Sequence, residues 1–471
     1  MLKTAQVLIL LITLSSCIST ELKEPRAGWF EAIKKSNDKT DLYRFLHNMP
    51  KGGDLHNHLS GAGFSKWWFD LAIAEQARGY KYYTRIGNNS CDESLVQNTI
   101  IQFKNISKIN YYKLSPCIKK QYKALSNLSA DEKNQWLNSI RLDKRNEGRD
   151  EFFGRHWQRL NAINKNPWLK AELLYKNMQA FAREGLSYIE FQLSVDNFVK
   201  SDGTKFTDSE VAEIYRKRLQ QNDALDTGVT VRFQSDLLRF LPNAEQTLAY
   251  NYQFADENKD LWVAVNMVGR EDNPLGNPKR FASTMKRMQK RFPNIRASIH
   301  AGESELADSN IKDTLAMGAD RIGHGVNLIY DKETMKSMQG GKHLVEINLI
   351  SNLLLGYVKD YDSHPFPTYL RSGVPVTLST DDRGMWDSTM TDEYFVAVTE
   401  FDLSWIEIKL LLTNSIKYSF LKDELKNQLL QKLNTRLTAF ENKVKIQGLS
   451  SFGTMPKTRS FICKYYQICN S

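Results

Sequence analysis

The chain has 471 residues, of which 41% are hydrophobic and 25% are charged; this composition is that of a globular protein and excludes a disordered one. Its length suggests one large α/β domain with additions, or two to three ordinary domains. The net charge of +10 is scattered among acidic residues without a long basic run, which favours a solvated surface over a nucleic-acid-binding one.

Residues 1–17 are predicted to be an export signal. Lys3 supplies a positive charge, residues 5–14 form an apolar run too short to span a bilayer stably, and small residues precede Cys17. The sequence Leu-Ser-Ser-Cys that ends at Cys17 resembles a bacterial lipobox, and ordinary signal cleavage nearby is the alternative. We expect an exported protein, which is a periplasmic or cell-surface lipoprotein if Cys17 is lipidated and a secreted protein otherwise.

Four further cysteines form an even set in a chain with an export signal, so two disulfides are expected. Three connectivities are open, and local pairing is the one we expect. No Cys-x-x-Cys occurs, which argues against zinc ligation by these residues. The pairs would be Cys91 with Cys117 and Cys463 with Cys469.

The first strand of the fold is predicted at residues 54–58. It follows a polar N-terminal extension, residues 18–48, with spacing for one or two helices, and a helix-breaking stretch that contains Pro50. Alternate side chains of a strand share a face, so His56 and His58 can hold one metal ion together. The alternative is that they are two unrelated loop histidines.

Residues 79–165 show no repeated strand and helix pattern and are predicted to be a mostly helical insertion after strand 1. Near the end of this insertion, Phe152, Phe153 and Trp157 have the spacing of one helix face. Packing in the core is the default explanation for such a stripe. A hydrophobic lid over a pocket is the alternative.

After residue 168, β-rich runs alternate with segments of helical periodicity. With the strand at 54–58 they make eight strands, which an α/β barrel of the (β/α)8 TIM type requires. A doubly wound open sheet is the alternative, but no Gly-x-Gly-x-x-Gly or phosphate-loop pattern follows any strand. We place the barrel domain at 49–445, with helices at 403–440, and an irregular tail at 446–471. The later strands are predicted at 187–193, 227–233, 261–268, 295–300, 321–324, 343–347 and 374–379.

Catalytic residues of such a barrel belong at the carboxyl ends of its strands. Polar residues occur at the predicted ends of strands 1, 5, 6 and 8. Three neutral imidazoles and one carboxylate suit zinc and leave a position for water, whose pKa zinc lowers to near 7. The predicted zinc ligands are His56, His58, His300 and Asp381, and the other strand-end residues are Glu303, His324 and Asp382.

A single ion is predicted, because strand 4 ends at Gly269 with no lysine or carboxylate that could bridge a second metal. His324 is then free to orient or to deprotonate the water, and Glu303 can pass a proton to the substrate if its pKa is raised. A helix cap for Glu303, a core histidine at 324 and a turn at Asp381 are the structural alternatives. The joint occurrence of these polar residues at strand ends favours the catalytic interpretation.

These motifs resemble the adenosine deaminase family of metal-dependent amidohydrolases. The resemblance covers about residues 49–440 outside the insertion. The export signal and the insertion are similar to the secreted, growth-factor-related branch of that family. The matching segments are Met49-Pro50-Lys51, Leu55-His56-Asn57-His58-Leu59, Ser298-Ile299-His300-Ala301-Gly302-Glu303, Arg321-Ile322-Gly323-His324-Gly325, His364-Pro365-Phe366-Pro367, Leu378-Ser379-Thr380-Asp381-Asp382 and residues 414–421.

The resemblance implies a zinc barrel that converts adenosine, and also 2'-deoxyadenosine, to inosine and ammonia by adding hydroxide at C6. It implies the same four zinc ligands. Glu303 would protonate the purine N1 and His324 would assist the water. Asp382 would accept on the N7 side, and the backbone N–H of Gly269 would reach N3.

Further substrate contacts are expected at His58 and Ser60. Ser60 stands where many relatives carry an acidic residue that holds the ribose, so the sequence also allows another aminopurine or a nucleotide as substrate. An exported binding or signalling protein that engages a receptor or polymer is the alternative from another functional class. Oligomerisation stays open at this point.

Overall fold

The computed structural model describes residues 27–36, 38–87, 91, 101–142, 144 and 147–470. The predicted export signal and Cys17 lie outside the described residues. The strands are β1 (Gly53–His58), β2 (Tyr82–Arg85), β3 (Asn105–Ser107), β4 (Tyr122–Ala124), β5 (Tyr188–Gln192), β6 (Thr230–Leu238), β7 (Trp262–Val268), β8 (Arg296–Ala301), β9 (Arg321–His324), β10 (Leu344–Ile347) and β11 (Val376–Leu378).

Helices precede the first strand, fill the connections between the strands and follow the last one. They are α1 (Gly28–Lys34), α2 (Lys39–Asn48), α3 (Ser65–Ala74), α4 (Lys108–Tyr112), α5 (Pro116–Lys119), α6 (Ala130–Ser139), α7 (Arg149–Glu151), α8 (Trp157–Asn164), α9 (Pro167–Arg183), α10 (Asp208–Leu219), α11 (Asn222–Leu225), α12 (Ala244–Glu257), α13 (Ala282–Arg291), α14 (Asn310–Ala316), α15 (Lys332–Met338), α16 (Leu349–Leu354), α17 (Phe366–Ser372), α18 (Arg383–Trp386), α19 (Met390–Phe401), α20 (Trp405–Lys417), α21 (Asp423–Gln447) and α22 (Ser460–Tyr466). No helix in the described part of the chain combines the length and apolarity needed to cross a membrane.

Strand β1 and strands β5 to β11 are parallel and lie side by side in this order. The two ends of the row meet, because the N–H of Asp381 donates to the carbonyl of His56 at 2.9 Å and the N–H of His58 donates to the carbonyl of Asp381 at 3.3 Å. The predicted eight-stranded barrel is therefore confirmed. Its closing seam runs through three of the predicted metal ligands.

Local sequence signals explain where the barrel helices begin. Helix α9 starts with Pro167, and the side chain of Asn166 accepts from the backbone N–H groups of Trp168 and Leu169 at 3.0 and 3.2 Å. Helix α10 starts with a capping box between Thr207 and Glu210. Such caps satisfy the free N–H groups of the first turn, so the chain reverses direction and packs each helix back on the barrel.

A buried ion network fills part of the barrel interior. The guanidinium of Arg321 lies 2.5 Å from Glu190 and 2.6 Å from Glu346, and it stacks on Phe420 at 3.7 Å from the ring centre. Buried charges are tolerated only when they are paired and hydrogen-bonded in this way. The network holds Glu346 in a fixed position inside the barrel, directly beneath His56.

The structure differs from the prediction at one strand end and adds detail in two other segments. Strand β6 continues to Leu238, beyond the predicted end at residue 233, because it keeps its pairing with β7 as far as Val268. The insertion contains more helix than strand, but its strands β2, β3 and β4 form a small antiparallel sheet that short polar runs did not reveal. The C-terminal tail is not irregular throughout, since it contains α22, which buries Phe461 and Ile462.

The structure contains the two local disulfides, one between Cys91 and Cys117 and one between Cys463 and Cys469. The first ties the insertion together across 26 positions, and the second closes a loop after α22. A disulfide stabilises chiefly by restricting the unfolded chain. Both therefore act on peripheral parts of the molecule and leave the barrel core to hydrophobic packing.

Candidate active site

The four predicted ligands converge at one end of the barrel. One candidate ligand atom of each residue lies within 4.8 Å of those of the others. The Nε2 atom of His58 is 3.3 Å from Asp381 Oδ1 and 3.3 Å from His300 Nε2. His58 and His300, which are 242 positions apart in the chain, thus meet because parallel barrel strands all end on the same face.

The donor set fits a divalent metal ion. His56 Nε2 and Asp381 Oδ1 are buried, are 3.5 Å apart, and have no hydrogen-bond partner among the described residues. Buried polar atoms without partners are costly, and a cation between them would satisfy both. Three imidazole nitrogens and one carboxylate oxygen are the ligand types that zinc prefers.

Hydrogen bonds behind the ligands fix their orientation. His56 Nδ1 lies 2.8 Å from Glu346 Oε2, and His300 Nδ1 lies 3.0 Å from Asn266 Oδ1. Each contact directs a ring N–H away from the cluster and leaves Nε2 as the ligand atom. The hydroxyl of Ser351 donates to Asp381 Oδ2 at 2.6 Å, which leaves Oδ1 for the metal.

We expect Glu346→Gln to weaken metal binding by about 10- to 100-fold, which is the usual effect of removing a partner of a metal-bound histidine. The amide keeps the shape but removes the charge that favours a donating His56 Nδ1–H. Competition with a chromogenic chelator measures the affinity. Glu132→Gln, which changes a partly exposed carboxylate paired with Lys123, is the matched control. Unchanged affinity in Glu346→Gln would contradict the role of Glu346.

Glu303 and His324 lie beside the cluster, with His324 Nε2 3.7 Å from Glu303 Oε1. Burial, together with the charges of Asp381 and Glu271, raises the pKa of Glu303 well above its usual value, so its protonated form is favoured. Burial, followed by the charge of His56, lowers the pKa of His324 to about 3, which favours a neutral ring. The site thus pairs a carboxylic acid with a neutral imidazole.

Glu271 supports this arrangement and was missed by the sequence-based prediction. Its carboxylate accepts from the backbone N–H groups of Gly302 and Glu303 at 3.0 Å each, and from Asn310 at 3.0 Å. It therefore holds the loop that carries Glu303. Its position shortly after strand β7 is a signal that could have identified it.

Asp382 is buried next to Asp381, and its Oδ1 has no partner among the described residues. Burial, followed by the charge of Asp381, raises the pKa of Asp382 above its usual range. Gly61 provides the space for this carboxylate, because a Cβ atom at Gly61 would lie 1.4 Å from Asp382 Oδ1. The glycine is needed here for close approach.

We expect Gly61→Ala to displace the Asp382 carboxylate and to reduce kcat/KM by about 100-fold, since a shift of about 1 Å in an active-site group has effects of this order. Steady-state kinetics on the full chain measures the loss, and metal content is determined on the same sample. Gly28→Ala, where an added Cβ meets nothing within 4 Å, is the control. Full activity of Gly61→Ala would show that Asp382 does not need its present position.

Residues 118–436, more than half of the chain, match the family model for adenosine deaminase. The chain belongs to the adenosine deaminase family. The adenosine deaminase of Clostridium acetobutylicum is 37% identical to it over 140 residues, which are 30% of this chain and 42% of the relative. That of Lutzomyia longipalpis is 23% identical over 428 residues, or 85% of this chain and 80% of the relative. The chain spans about half the length of the bacterial relatives it matches.

Solved structures share the fold of this adenosine deaminase family member. An adenine deaminase from Arthrobacter aurescens has a TM-score of 0.61 at 18% identity and covers 83% of this chain and 99% of its own. An amidohydrolase from Burkholderia ambifaria with bound Zn has a TM-score of 0.62 at 15% identity, with coverages of 86% and 95%. An Arabidopsis N6-mAMP deaminase has a TM-score of 0.60 at 19% identity, with coverages of 83% and 99%. At these identities the likeness establishes the fold alone.

The candidate metal cluster opens into a cleft of about 700 Å³, which is the size range of a small-molecule site. The aromatic stripe of the insertion lines this cleft, so it faces the site rather than only the core. Ser60 is also in the wall, and its hydroxyl donates to Asn164 at 2.7 Å. The lining residues singled out by the sequence are His58, Ser60, Phe152, Phe153, Trp157, Gly269, His300, Glu303, His324, Asp381 and Asp382.

Two cleft residues escaped prediction. Lys170 on α9 is only 4% exposed, and burial lowers its pKa to about 8. Asp236 on β6 also lines the cleft, and burial raises its pKa to about 6. A lysine in a long amphipathic helix has the appearance of a surface residue, so only the fold reveals that Lys170 reaches the cleft.

Proposed function

We propose that this protein is an exported, zinc-dependent hydrolytic deaminase that converts adenosine and 2'-deoxyadenosine to inosine or deoxyinosine and ammonia. The observation that carries the proposal is the convergence of His56, His58, His300 and Asp381 at the base of a cleft that Glu303 also lines. A single zinc ion held by these four residues would lower the pKa of water and so supply a nucleophile at neutral pH. Membership in the adenosine deaminase family supports the reaction class.

The chain's own residues perform the proton transfers and hold the base. Glu303, protonated because its pKa is raised, donates to the purine N1 while water adds to C6. His324 contacts the attacking water. The backbone N–H of Gly269, in the wall of the cleft, donates to N3. The amino group at C6 leaves as ammonia, and a 6-oxopurine remains.

Asp382 acts with the opposite hydrogen-bond polarity to that expected from the resemblance. N7 of a neutral adenine carries a lone pair, so it needs a donor. The raised pKa of Asp382 favours its protonated form, and its Oδ1 has no hydrogen-bond partner among the described residues. Asp382 therefore donates to N7 rather than accepting from that side.

A second candidate substrate is another aminopurine or a nucleotide. Ser60 supports it, because a hydroxyl bonded to Asn164 replaces an acidic group that would repel a phosphate and would bind ribose. The solved relatives with this fold include proteins named for adenine and for N6-mAMP. Water adds at C6 in all of these substrates, whereas the leaving amine and the contacts at the other end of the molecule differ.

A panel of adenosine, 2'-deoxyadenosine, adenine, AMP and N6-methyl-AMP tests the proposal on a sample of known zinc content, with methylamine measured for N6-methyl-AMP and ammonia for the others. We expect the highest kcat/KM for the two nucleosides. A clear preference for AMP or adenine would replace the proposed substrate by the second candidate. Absence of both ammonia and methylamine from the whole panel, in protein that contains zinc, would overturn the reaction itself.

The export proposal depends on residues 1–17 and is supported by the two disulfides, since disulfides persist in oxidising compartments. Cell fractionation and the mass of the mature N-terminus test it. Lipidation predicts a membrane-associated protein that begins with modified Cys17, and Cys17→Ala should abolish that association. A cytoplasmic protein with residues 1–17 intact would contradict export.

A further inference from the structure

The segment His364-Pro365-Phe366-Pro367 lies behind the active site and has no role so far. His364 is 3% exposed and precedes α17. Its Nδ1 accepts a hydrogen bond from the backbone N–H of Phe366 at 3.1 Å. A backbone N–H can only donate a hydrogen bond, so Nδ1 must accept it and carry a lone pair. Burial lowers the pKa of His364 to about 3, which leaves one ring proton, and that proton is on Nε2.

The direction of this first hydrogen bond determines the next ones. His364 Nε2 lies 3.1 Å from Asn352 Oδ1 and donates to it. The amide of Asn352 is thereby oriented, and its Nδ2 donates to His324 Nδ1 at 3.1 Å. The orientation of a buried amide is normally inferred from its neighbours, and here it follows from a backbone donor at the end of the chain of bonds.

A second amide reaches the same nitrogen. Asn348, which precedes α16, places its Nδ2 3.2 Å from His324 Nδ1. Asn348 and Asn352 are fully buried, so water does not compete for these bonds. His324 Nδ1 therefore accepts, and the ring proton is on Nε2, the nitrogen that lies 3.7 Å from Glu303.

We infer that His364 and Asn352 are positioning residues that hold His324 in its Nε2–H form, so that His324 donates a hydrogen bond to the nucleophilic water and cannot take its proton. This inference rests on the proposed deaminase function. It decides between orienting and deprotonating the water, which the sequence left open. The groups act through His324 and do not touch the substrate.

The proton that water loses must then go to another group. In the addition step the oxygen of water bonds to C6, the electron pair of the C6–N1 double bond moves to N1, and N1 takes the proton of Glu303. The Glu303 carboxylate formed in this way takes the proton from water and is protonated again. Protons and electrons balance without a base at His324, and Glu303 performs both transfers.

The test is the tautomer of His324 in the full-length, zinc-loaded protein. Two-bond ¹⁵N–¹H correlation spectra of ¹⁵N-histidine-labelled protein distinguish protonated from bare ring nitrogens, and the signals missing in His324→Gln assign them. We expect Nδ1 bare and Nε2 protonated. In Asn352→Asp, which has the same shape but accepts where Asn352 Nδ2 donated, we expect the proton to move to Nδ1. We also expect kcat to fall on the order of 100-fold with little change in KM.

A matched pair at His364 separates hydrogen-bond polarity from packing. His364→Leu removes the donor, whereas His364→Gln places an amide N–H near the position of Nε2. We expect His364→Gln to restore the Nε2–H tautomer and most of the activity that His364→Leu loses. Zinc content and thermal unfolding show whether each variant is folded. If Asn352→Asp does not fold, the wild-type spectrum and the two His364 variants still test whether His364 and Asn352 set the tautomer of His324.

A wild-type spectrum with a protonated His324 Nδ1 would overturn the inference, as would an Asn352→Asp spectrum in which the tautomer does not change. Failure of the proposed function gives a different result. In that case no aminopurine releases ammonia, while the spectrum still shows His324 with a bare Nδ1 and a protonated Nε2.

Discussion

Glu303→Gln is expected to lower kcat for adenosine by about 1,000-fold, within the range for loss of a general acid. Glutamine has nearly the same shape but cannot give a proton to N1. Glu303 is 7% exposed, and Glu271 fixes the backbone that carries it, so water cannot easily take its place. KM and the zinc content should change little, because Glu303 is not a predicted ligand.

The matched control for Glu303→Gln is Glu305→Gln. Glu305 lies two residues further along, at the surface, where it pairs with Arg149 at 3.0 Å. It should keep nearly full activity, because it does not line the cleft. Retention of more than a tenth of the wild-type kcat in Glu303→Gln would assign the proton transfer to another group.

The pH dependence of kcat/KM should also originate in the proton of Glu303. Glu303 donates only when protonated, and its pKa is raised by burial and by the charges of Asp381 and Glu271. The active form is therefore present at neutral pH, and kcat/KM should fall as pH rises through the raised pKa. A pH profile of zinc-loaded protein measures this limb. In Glu303→Gln the limb should disappear from the residual activity.

Removal of the metal is expected to leave less than about 1% of the activity, since a metal that activates water lowers the activation barrier by several kcal/mol. Dialysis against a zinc chelator, followed by metal analysis and titration with Zn²⁺, measures loss and recovery. The thermal midpoint should rise with Zn²⁺ concentration, because an ion bound by the native state alone stabilises that state. The cluster offers two unpartnered buried atoms to such an ion.

The control for metal removal is His58→Ala. His58 Nε2 lies 3.3 Å from both Asp381 and His300, so its loss opens the cluster. The variant should stay folded, because the His58 side chain is already 15% exposed. Its activity should not recover with Zn²⁺ at concentrations that restore the wild type. Full activity in metal-free wild-type protein would exclude a metal-dependent reaction.

Much of the barrel could be predicted because its strands carry local signals. Buried parallel strands are continuous apolar runs, and helical periodicity between them is equally visible, so all eight strands were placed within a few residues. The end of β6 was misplaced because its last residues carry no local strand signal. Gln234, Ser235 and Asp236 are polar like a loop, yet pairing with β7 keeps them in the strand.

The second layer of the site could not be predicted in the same way. Glu346 stands in an apolar strand and Asn352 in a short helix, and neither has a sequence signal that names its partner. Their roles depend on contacts with His56 and His324, which are 290 and 28 residues away. Such contacts are set by the closure of the barrel rather than by local propensity.

The sequence alone predicted the candidate ligand types and their order along the chain, because imidazole and carboxylate groups at strand ends have a chemistry that does not depend on exact geometry. The tertiary structure decided protonation and hydrogen-bond polarity. Burial raises the pKa of Glu303 and Asp382, and a backbone N–H beside His364 orients the ring of His324 through Asn352. These properties arise from desolvation and from contacts between distant residues, and both exist only when the chain is folded.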